Sequence, residues 1–430
     1  MSPEKRQAPA RPGAAPETRL PVDERRTPLR ELALLFARLG ATAFGGPAAH
    51  IAMMRDEVVT RRRWLSDARF LDLLGATNLI PGPNSTEMAI HIGWDRRRFA
   101  GLVVAGLAFI VPAMLITGLL GWAYVECAGS LAPGSDADPR EAFASEYQTA
   151  AGWLLYGAKP VILAVILQAL WGLAPRAART NGLRALGALA ALAVALGVNE
   201  LAVLFGAGFV AILARTHQPP TDRHTRAHDL ASPLLGPLLA GSALGTTALA
   251  TAVTLPTLFG VFFKAGAVLF GSGYVLLAYL RADLVEHLGW MTESQLVDAI
   301  AIGQVTPGPV FTTATFIGWV LAGPAGAVVA TVAIFLPAFV YVALSARFIP
   351  RLRASPKAAA FLDGVNVASL ALMAVVTVQL AGAAFVDAPT VVLGLAGAVL
   401  LVRTKLNSTW LVLGGAAAGW LVHAIGLAGG

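Results

Sequence analysis

The chain has 430 residues, of which 56% are hydrophobic and only 13% are charged. A soluble domain carries about 25% charged residues, so this composition excludes an ordinary soluble globular protein and predicts one embedded in a lipid bilayer. The net charge is +7, but the basic residues lie in short loops beside apolar segments. That distribution sets the orientation of membrane proteins and argues against nucleic acid as a partner.

Residues 1–28 are rich in Pro, Arg and Glu and contain no apolar stretch like that of a signal peptide, so we expect a disordered cytoplasmic tail. The single cysteine, Cys127, excludes internal disulfides and any cluster of thiolate metal ligands. The sequence shows no metal-ligand spacing and no glycine-rich phosphate loop ending in Lys-Ser or Lys-Thr. We therefore expect no metal site, no cofactor and no ATP hydrolysis within this chain.

The rest of the chain consists of apolar segments separated by polar loops. The first six segments belong to an N-terminal membrane repeat at 29–215 and the last six to a C-terminal membrane repeat at 256–430. Between them lie a cytoplasmic linker at 216–232 and a connecting transmembrane helix at 233–255. Because an odd number of segments separates the starts of the two repeats, the second should be inverted relative to the first. The segments are 32–54, 68–94, 100–125, 150–174, 183–198, 199–215, 233–255, 257–281, 296–320, 321–347, 358–386, 388–402 and 407–427.

Sequence identity between the two halves supports a duplication. With an offset of 226 residues and no gap, residues 40–83 match residues 266–309 at 12 of 44 positions. Beyond that stretch the match continues one residue out of step, with Phe-Ile-Val-Pro-Ala at 109–113 and Phe-Leu-Pro-Ala at 335–338. The predicted fold class is therefore an all-α polytopic membrane protein built from two inverted repeats with broken or re-entrant helices.

Helix-breaking residues interrupt each of the first two segments, at 45–47 (Gly-Gly-Pro) and 81–83 (Pro-Gly-Pro). If both segments crossed the bilayer fully, the loop with three arginines at 61–63 would lie outside, against the positive-inside rule. Segments that enter and leave on the cytoplasmic side remove this conflict. We predict nine crossings and four re-entrant hairpins, with the N-terminus inside and the C-terminus outside. Thirteen full spans are the alternative, since a broken helix can also cross the bilayer.

The Pro-Gly-Pro tract, which occurs at 81–83 and again at 307–309, is the main functional signal. Non-helical backbone at membrane depth is tolerated where it lines a cavity, and the half-helix that follows offers free N–H groups and a positive dipole end to an anion. Two such ends predict a site for a multivalent oxyanion near the midplane, and a packed structural kink is the alternative. The candidate binding residues are Gly45, Gly46, Pro81, Gly82, Pro83, Asn84, Ser85, Thr86, Gly271, Pro307, Gly308, Pro309, Thr312 and Thr313.

Two cations, Arg38 and Lys264, occupy matching positions inside apolar segments. A charge within a membrane segment is costly and often functional, so both are candidate counter-charges for the anion, and snorkelling to the headgroups is the alternative. Lys159 is a third embedded cation, without a visible counterpart in the other repeat. Arg55 and Glu57, and the residues at the same positions of the second repeat, are interpreted as interfacial ion pairs that fix the hairpin geometry.

Three further side chains are candidates for binding and releasing a proton during turnover. Glu87 and His91 are four residues apart and share one helix face, and His50 follows the first helix break. A carboxylate and an imidazole that face a cavity suit a proton relay. Hydrogen-bonded packing residues are the alternative for each of them.

Phe-Gly-Gly-Pro at 44–47, Arg-Trp at 63–64 and Pro-Gly-Pro-Asn-Ser-Thr-Glu-Met-Ala at 81–89 resemble the signature of the chromate ion transporter family. The chain is similar to the long, two-domain bacterial form of the family over nearly all of residues 30–427. The resemblance implies a multi-pass protein of the bacterial inner membrane that exports chromate and so confers chromate resistance. It also implies sulfate, a similar tetrahedral dianion, as a competing substrate, and no enzymatic activity.

The second repeat keeps only part of this signature, since positions 272, 273 and 310 carry Ser, Gly and Val where the first repeat has Gly, Pro and Asn. The resemblance therefore supports a substrate role for the first break more than for the second. A transporter for sulfate or another oxyanion is one alternative function. An integral membrane enzyme that uses Glu87 and His91 on a lipid-linked substrate is another, but it would need a nucleophile or metal site that the sequence does not show. A homodimer is left open.

Overall fold

The computed structural model describes residues 27–44, 46–77, 80–128, 150–216, 252–269, 276–345, 355–404, 406 and 408–425. Almost all of the predicted tail, linker and connecting helix lies outside the described residues. The described part of the chain is predominantly helical, and the predicted all-α polytopic fold is confirmed.

The two repeats contain corresponding helices in the same order. The N-terminal repeat comprises α1 Leu29–Thr42, α2 Gly46–Arg55, α3 Asp67–Thr77, α4 Asn84–Ala128, α5 Ala150–Ala177, α6 Asn181–Ala195 and α7 Glu200–Thr216. The C-terminal repeat comprises α8 Leu255–Val268, α9 Leu276–Leu280, α10 Glu293–Val305, α11 Thr313–Ser345, α12 Pro356–Ala384, α13 Ala388–Arg403 and α14 Ser408–Ala424. The π-helices Asp56–Arg61 and Arg281–His287 continue α2 and α9, and the 3-10 turn Val310–Thr312 precedes α11.

Local sequence explains where several helices begin. Thr292 caps α10 in a reciprocal arrangement with Gln295, and Asp387 caps α13 in the same way with Thr390. Such capping boxes satisfy two of the amide groups that the first helical turn leaves without a partner. Pro389 is the second residue of α13, where its missing N–H costs nothing because first-turn amides have no partner within the helix.

Helices α4 and α11 each contain a sharp reversal rather than a bend. In α4 the backbone leaves helical geometry at Arg97 and Arg98, where φ is −142° and 52°. Gly93 and Gly101 lie on either side of the reversal, and their backbones touch so closely that a Cβ on one would overlap the carbonyl of the other. Eight residues of straight helix would hold them about 12 Å apart, so the arms of α4 fold back on each other. Helix α11 repeats the reversal at 322–323.

Ion pairs and hydrogen bonds bring the two ends of each early segment together. Arg69, near the start of α3, pairs with Asp95 at the end of the first arm of α4, with 2.6 Å between Nη2 and Oδ1. Arg62, just after the first π-helix, pairs with Glu31 at the start of α1. The ends of each segment therefore lie side by side, as a re-entrant hairpin requires, and the break between its helices forms the tip.

Helix lengths agree with this arrangement. Helices α1, α3, α8 and α10 have 14, 11, 14 and 13 residues, and helices of that length extend about 17–21 Å, less than the roughly 30 Å hydrocarbon core. Four helices of the described residues are long and apolar enough to cross a membrane: Asn84–Glu126, Gly152–Pro175, Val310–Ser345 and Pro356–Ala384. The first and third of these contain the second arms of α4 and α11.

The helices form two groups. The hairpin bundle comprises α1–α4 and α8–α11, in which α1 packs on α4, α8 packs on α11, and α4 and α11 pack on each other. The scaffold bundle comprises α5–α7 and α12–α14, in which the repeats exchange helices: α5 packs on α13 and α14, while α12 packs on α6 and α7. Glycine permits the closest crossings, since Gly157 meets Gly415 and Gly364 meets Ala207.

Candidate functional site

The tips of hairpins from the two repeats meet in the interior of the hairpin bundle. The N–H of Gly82 donates to the carbonyl of Leu269 over 2.7 Å, and the N–H of Gly308 donates to the carbonyl of Ala43 over 2.9 Å. These two bonds are related by the same offset of 226 residues that aligns the sequences. Each Pro-Gly-Pro break is thus held by the first broken helix of the other repeat.

Glycine is required at the centre of each tract for two reasons. The φ angles of Gly82 and Gly308 are +138° and +88°, a region that L side chains rarely adopt. There is also no room for a side chain, because a Cβ on Gly308 would lie 2.6 Å from the Gly40 carbonyl oxygen and 2.7 Å from the Ala113 Cβ. A Cβ on Gly82 would overlap the carboxyl group of Glu87.

The two half-helices that start at the breaks are not equally equipped to bind an anion. The hydroxyls of Thr312 and Thr313 donate to the carbonyls of Pro309 and Val310, each over 2.8 Å, so their protons are committed to their own turn. Thr86 Oγ1 is buried and finds no hydrogen-bond partner among the described residues. The first break therefore keeps a hydroxyl available.

Glu87 lies directly over the first break and is fully buried. Neither of its carboxyl oxygens has a hydrogen-bond partner within the described part of the chain, and the same holds for His91 Nε2 and His50 Nδ1. The other ring nitrogen of His50 lies 3.0 Å from the carbonyl oxygen of Ala43, at the tip of the first hairpin. Because buried polar groups are nearly always hydrogen-bonded, these atoms indicate places that water or a ligand occupies.

The predicted counter-charges are matched by carboxylates in both repeats. Arg38 pairs with Glu57, and Lys264 pairs with Asp283 over 2.5 Å, again at equivalent positions. The side chains of Arg38 and Lys264 remain 53% and 44% exposed, so both can move. Each pair ties the first helix of a repeat to the π-helix that follows it.

The predicted partners of Arg55 and Arg281 were wrong. Arg55 pairs with Asp67 over 2.7 Å, and Arg281 pairs with Glu293 over 2.6 Å, at equivalent positions of the two repeats. Glu57 instead faces Arg38 and two arginines of its own loop. The interpretation failed because residues two apart on a helix do not face each other.

Two predicted site residues, Gly45 and Gly271, lie outside the described residues. Gly46 begins α2 immediately after the first tip. The other tract residues lie where the sequence places them: Pro83, Pro307 and Pro309 are buried, and Pro81 is half-buried. The half-helix residues Asn84 and Ser85 follow, half-buried and buried respectively.

Sequence reasoning missed a buried ion pair between the two bundles. Lys159 on α5 and Asp298 on α10 are 1% and 2% exposed, with 3.2 Å between Nζ and Oδ1. Tyr124 donates its hydroxyl to Asp298 over 2.9 Å, and Lys159 donates to the hydroxyl of Ser294 over 2.5 Å. The available signals were an embedded lysine and an aspartate identical in both repeats, but nothing in the sequence joins residues so far apart.

A duplicated set of broken helices in an apolar helical protein, with buried polar atoms near the first break that have no partner among the described residues, defines a membrane transporter. The chain belongs to the chromate transporter family, whose sequence profile matches residues 30–212 and 256–420.

Individual relatives agree with this assignment. The chain is 32% identical over 393 residues to the chromate transport protein of Cupriavidus metallidurans, which covers 90% of this chain and 92% of that protein. It is 33% identical over 404 residues to the chromate transport protein of Pseudomonas aeruginosa, with 90% and 91% covered. It is 29% identical over 372 residues to the probable chromate transport protein of Synechococcus elongatus, with 85% and 88% covered. No solved structure matches the chain significantly.

Proposed function

We propose that this protein is a secondary active transporter that exports chromate across the bacterial inner membrane and so confers chromate resistance. The family and the names of the relatives support chromate as the substrate. The observation that carries the mechanism is that each Pro-Gly-Pro break is held by a hairpin tip of the other repeat, with buried polar atoms of Thr86 and Glu87 beside the first break that have no partner among the described residues.

Chromate is a tetrahedral dianion, and the first break offers the hydrogen-bond donors and the positive helix end that bind such an anion. The half-helix that starts at Asn84 points the positive end of its dipole and its first amide groups at the tip. The hydroxyls of Ser85 and Thr86 lie in the same turn and supply further donors. The second half-helix, which starts at Val310, opposes it from the other repeat and completes the site with backbone amides.

Arg38 and Lys264 contribute as exchangeable counter-charges in this proposal. Each is held by a carboxylate in the structure. A dianion that arrives at the tips competes with Glu57 and Asp283 for these cations. The site is thus neutral overall when empty, which limits the cost of holding charges at membrane depth.

Glu87 links anion binding to protons. An ionised carboxylate buried without a partner is costly, and a dianion beside it would raise that cost further. Glu87 therefore carries a proton while the anion is bound and releases it at another step of the cycle. His91, one turn further along α4, and His50, at the tip of the first hairpin, are the residues that pass this proton on.

The direction of transport follows from the electrical gradient. With the N-terminus and the arginine-rich loops on the cytoplasmic side, a dianion leaves a negative interior. Each elementary charge gains about 2.3 kcal/mol per 100 mV in that direction, so the membrane potential favours export of a dianion by twice that free energy. Sulfate has the same shape and charge and is the expected competitor.

The test is chromate uptake into everted membrane vesicles. Gly82→Ala should abolish uptake because of its φ angle and the clash with Glu87, while Asn84→Ala and Thr86→Val should lower it roughly tenfold by removing donors worth about 1.4 kcal/mol each. Thr117→Val is the matched control, since the Thr117 hydroxyl is buried but already donates to the Ala113 carbonyl in its own helix. Unchanged uptake by Asn84→Ala and Thr86→Val variants that insert normally would exclude the first break as the site.

Two measurements, one in these vesicles and one with purified protein, distinguish chromate transport from the alternative functions. Sulfate uptake that exceeds chromate uptake would assign the protein to sulfate instead. Turnover of a lipid-linked substrate by purified protein, with no binding of labelled chromate, would favour an enzyme.

A further inference from the structure

The two repeats differ in how their second hairpin contacts the scaffold bundle. Helix α10 packs against α5, α12 and α14, whereas its counterpart α3 packs mainly against α4. The aspartates at equivalent positions of the two helices differ in exposure as a result: Asp298 on α10 is 2% exposed, while Asp72 on α3 is exposed. The equivalent arginines follow the same trend, since the side chain of Arg281 is 13% exposed and that of Arg55 is 52% exposed.

The docked hairpin is fastened by the one ion pair in the described residues in which both partners are nearly inaccessible. Lys159 on the scaffold bundle faces Asp298 on α10 and donates to Ser294 one turn away. Tyr124, from the second arm of α4, closes the cluster by donating to the other carboxyl oxygen. Removing one member of such a pair leaves an uncompensated buried charge, so the pair resists separation.

The other repeat has the residues for a weaker version of this contact. Gly157 on α5 meets Gly415, and Gly364 on α12 meets Ala207, which makes Gly364 the counterpart of Gly157 and Asn366 the counterpart of Lys159. If α3 docked on α12 as α10 docks on α5, Asp72 would face Asn366. An aspartate opposite an amide gains a hydrogen bond but no opposing charge, so this docking would be weaker.

We propose that the Lys159–Asp298 pair is the latch of the transport cycle, and that the cycle exchanges which second hairpin is docked. In the structure α10 is latched and the α3 side of the hairpin bundle is open. In the alternate state α10 leaves the scaffold bundle and α3 docks through Asp72 and Asn366. The use of this exchange for chromate rests on the proposed function, whereas the exchange itself does not.

Thiol labelling measures the exchange without any substrate. In a Cys127→Ser background, an Ala68→Cys variant in everted vesicles should react readily with a membrane-impermeant thiol reagent, because Ala68 is exposed one turn before Asp72 and its replacement leaves that aspartate in place. Adding Lys159→Met together with Asp298→Asn removes both charges of the latch at once, and the labelling rate at position 68 should then fall roughly threefold or more because α3 becomes docked. Phe99→Cys is the control, because Phe99 lies at the reversal of α4, is 65% exposed and should label equally in every background.

Charge reversal distinguishes a latch from simple packing. Lys159→Asp combined with Asp298→Lys restores an ion pair in the opposite sense and should restore labelling at position 68, whereas either reversal alone should not.

Labelling that stays the same at positions 68 and 99 after the latch is removed would overturn the proposal. If labelling responds as expected but the vesicles transport no chromate, the latch stands and the proposed substrate fails.

Discussion

In the proposed mechanism Glu87 takes part in both anion binding and proton transfer, because it lies over the glycine that breaks the helix and one turn before His91. The residue has no acidic counterpart in the second repeat, where the equivalent position is Thr313. Two structurally matched breaks are therefore chemically different: the first holds a carboxyl group that can change charge, and the second holds a hydroxyl that donates to its own turn. Proton exchange, if it accompanies transport, belongs to the first repeat.

Glu87→Gln tests this assignment. An amide is close in size to a protonated carboxyl group, so we expect the variant to fold and insert normally, and to bind chromate. It cannot release a proton, so chromate uptake into everted vesicles should no longer respond to an imposed pH gradient. Glu126→Gln is the control, because Glu126 is exposed at the far end of α4 and should leave the response intact. Uptake by Glu87→Gln that still follows the pH gradient would move proton coupling to another residue.

At the scale of helices, close backbone contacts hold the hairpins against the long crossing arms. Gly40 on α1 lies against the backbone of Phe109, and Gly266 on α8 lies in the same way against Ile334. Only glycine fits at these crossings, because a Cβ would overlap a carbonyl oxygen. The repeat thus conserves a contact geometry even where the partner side chain changes from Phe to Ile.

Gly266→Ala should destabilise the protein, and Gly260→Ala on the same helix should not. The first substitution forces α8 away from α11 at an overpacking cost of about 1–3 kcal/mol. At Gly260 the new methyl group meets no atom within 4 Å, and alanine is a better helix former than glycine by up to about 1 kcal/mol. Thermal unfolding in detergent should therefore show a lower Tm for Gly266→Ala and an equal or higher Tm for Gly260→Ala. Equal Tm values for the two variants would contradict the close contact with Ile334.

The sequence predicts those elements that depend on a repeated or local pattern, but it does not predict contacts between residues far apart in the chain. Identities at a fixed offset predicted the duplication, and glycine and proline predicted the breaks, because both residues act on the local backbone. The reversals at 97–98 and 322–323 also fall close to predicted segment boundaries, after residue 94 and after residue 320, and the second contains Gly323 beside Pro324. The partners of Arg55 and Lys159 depend on which helices pack together, and a single sequence does not contain that information.

At the scale of the whole molecule, exchanged helices explain how the hairpins can move while the protein stays intact. Helices α5 and α12 each pack on the last two helices of the other repeat, so the scaffold bundle is built equally from both halves. The hairpin bundle is divided differently, because its helices pack mainly within their own repeat and the halves meet along α4 and α11 and at the tips. This division favours motion of hairpins against a fixed scaffold.

The predicted inversion of the two repeats determines which membrane face each π-helix should occupy. Arg61 and His287 are equivalent residues at the ends of the two π-helices, and their side chains are 63% and 58% exposed. In a Cys127→Ser background, Arg61→Cys should react with an impermeant maleimide from the cytoplasmic side and His287→Cys from the outside. A permeant maleimide should label both variants from either side, which controls for reactivity. Labelling of both residues from one face would mean parallel repeats. The two Pro-Gly-Pro half-helices would then no longer approach the anion from opposite sides of the membrane.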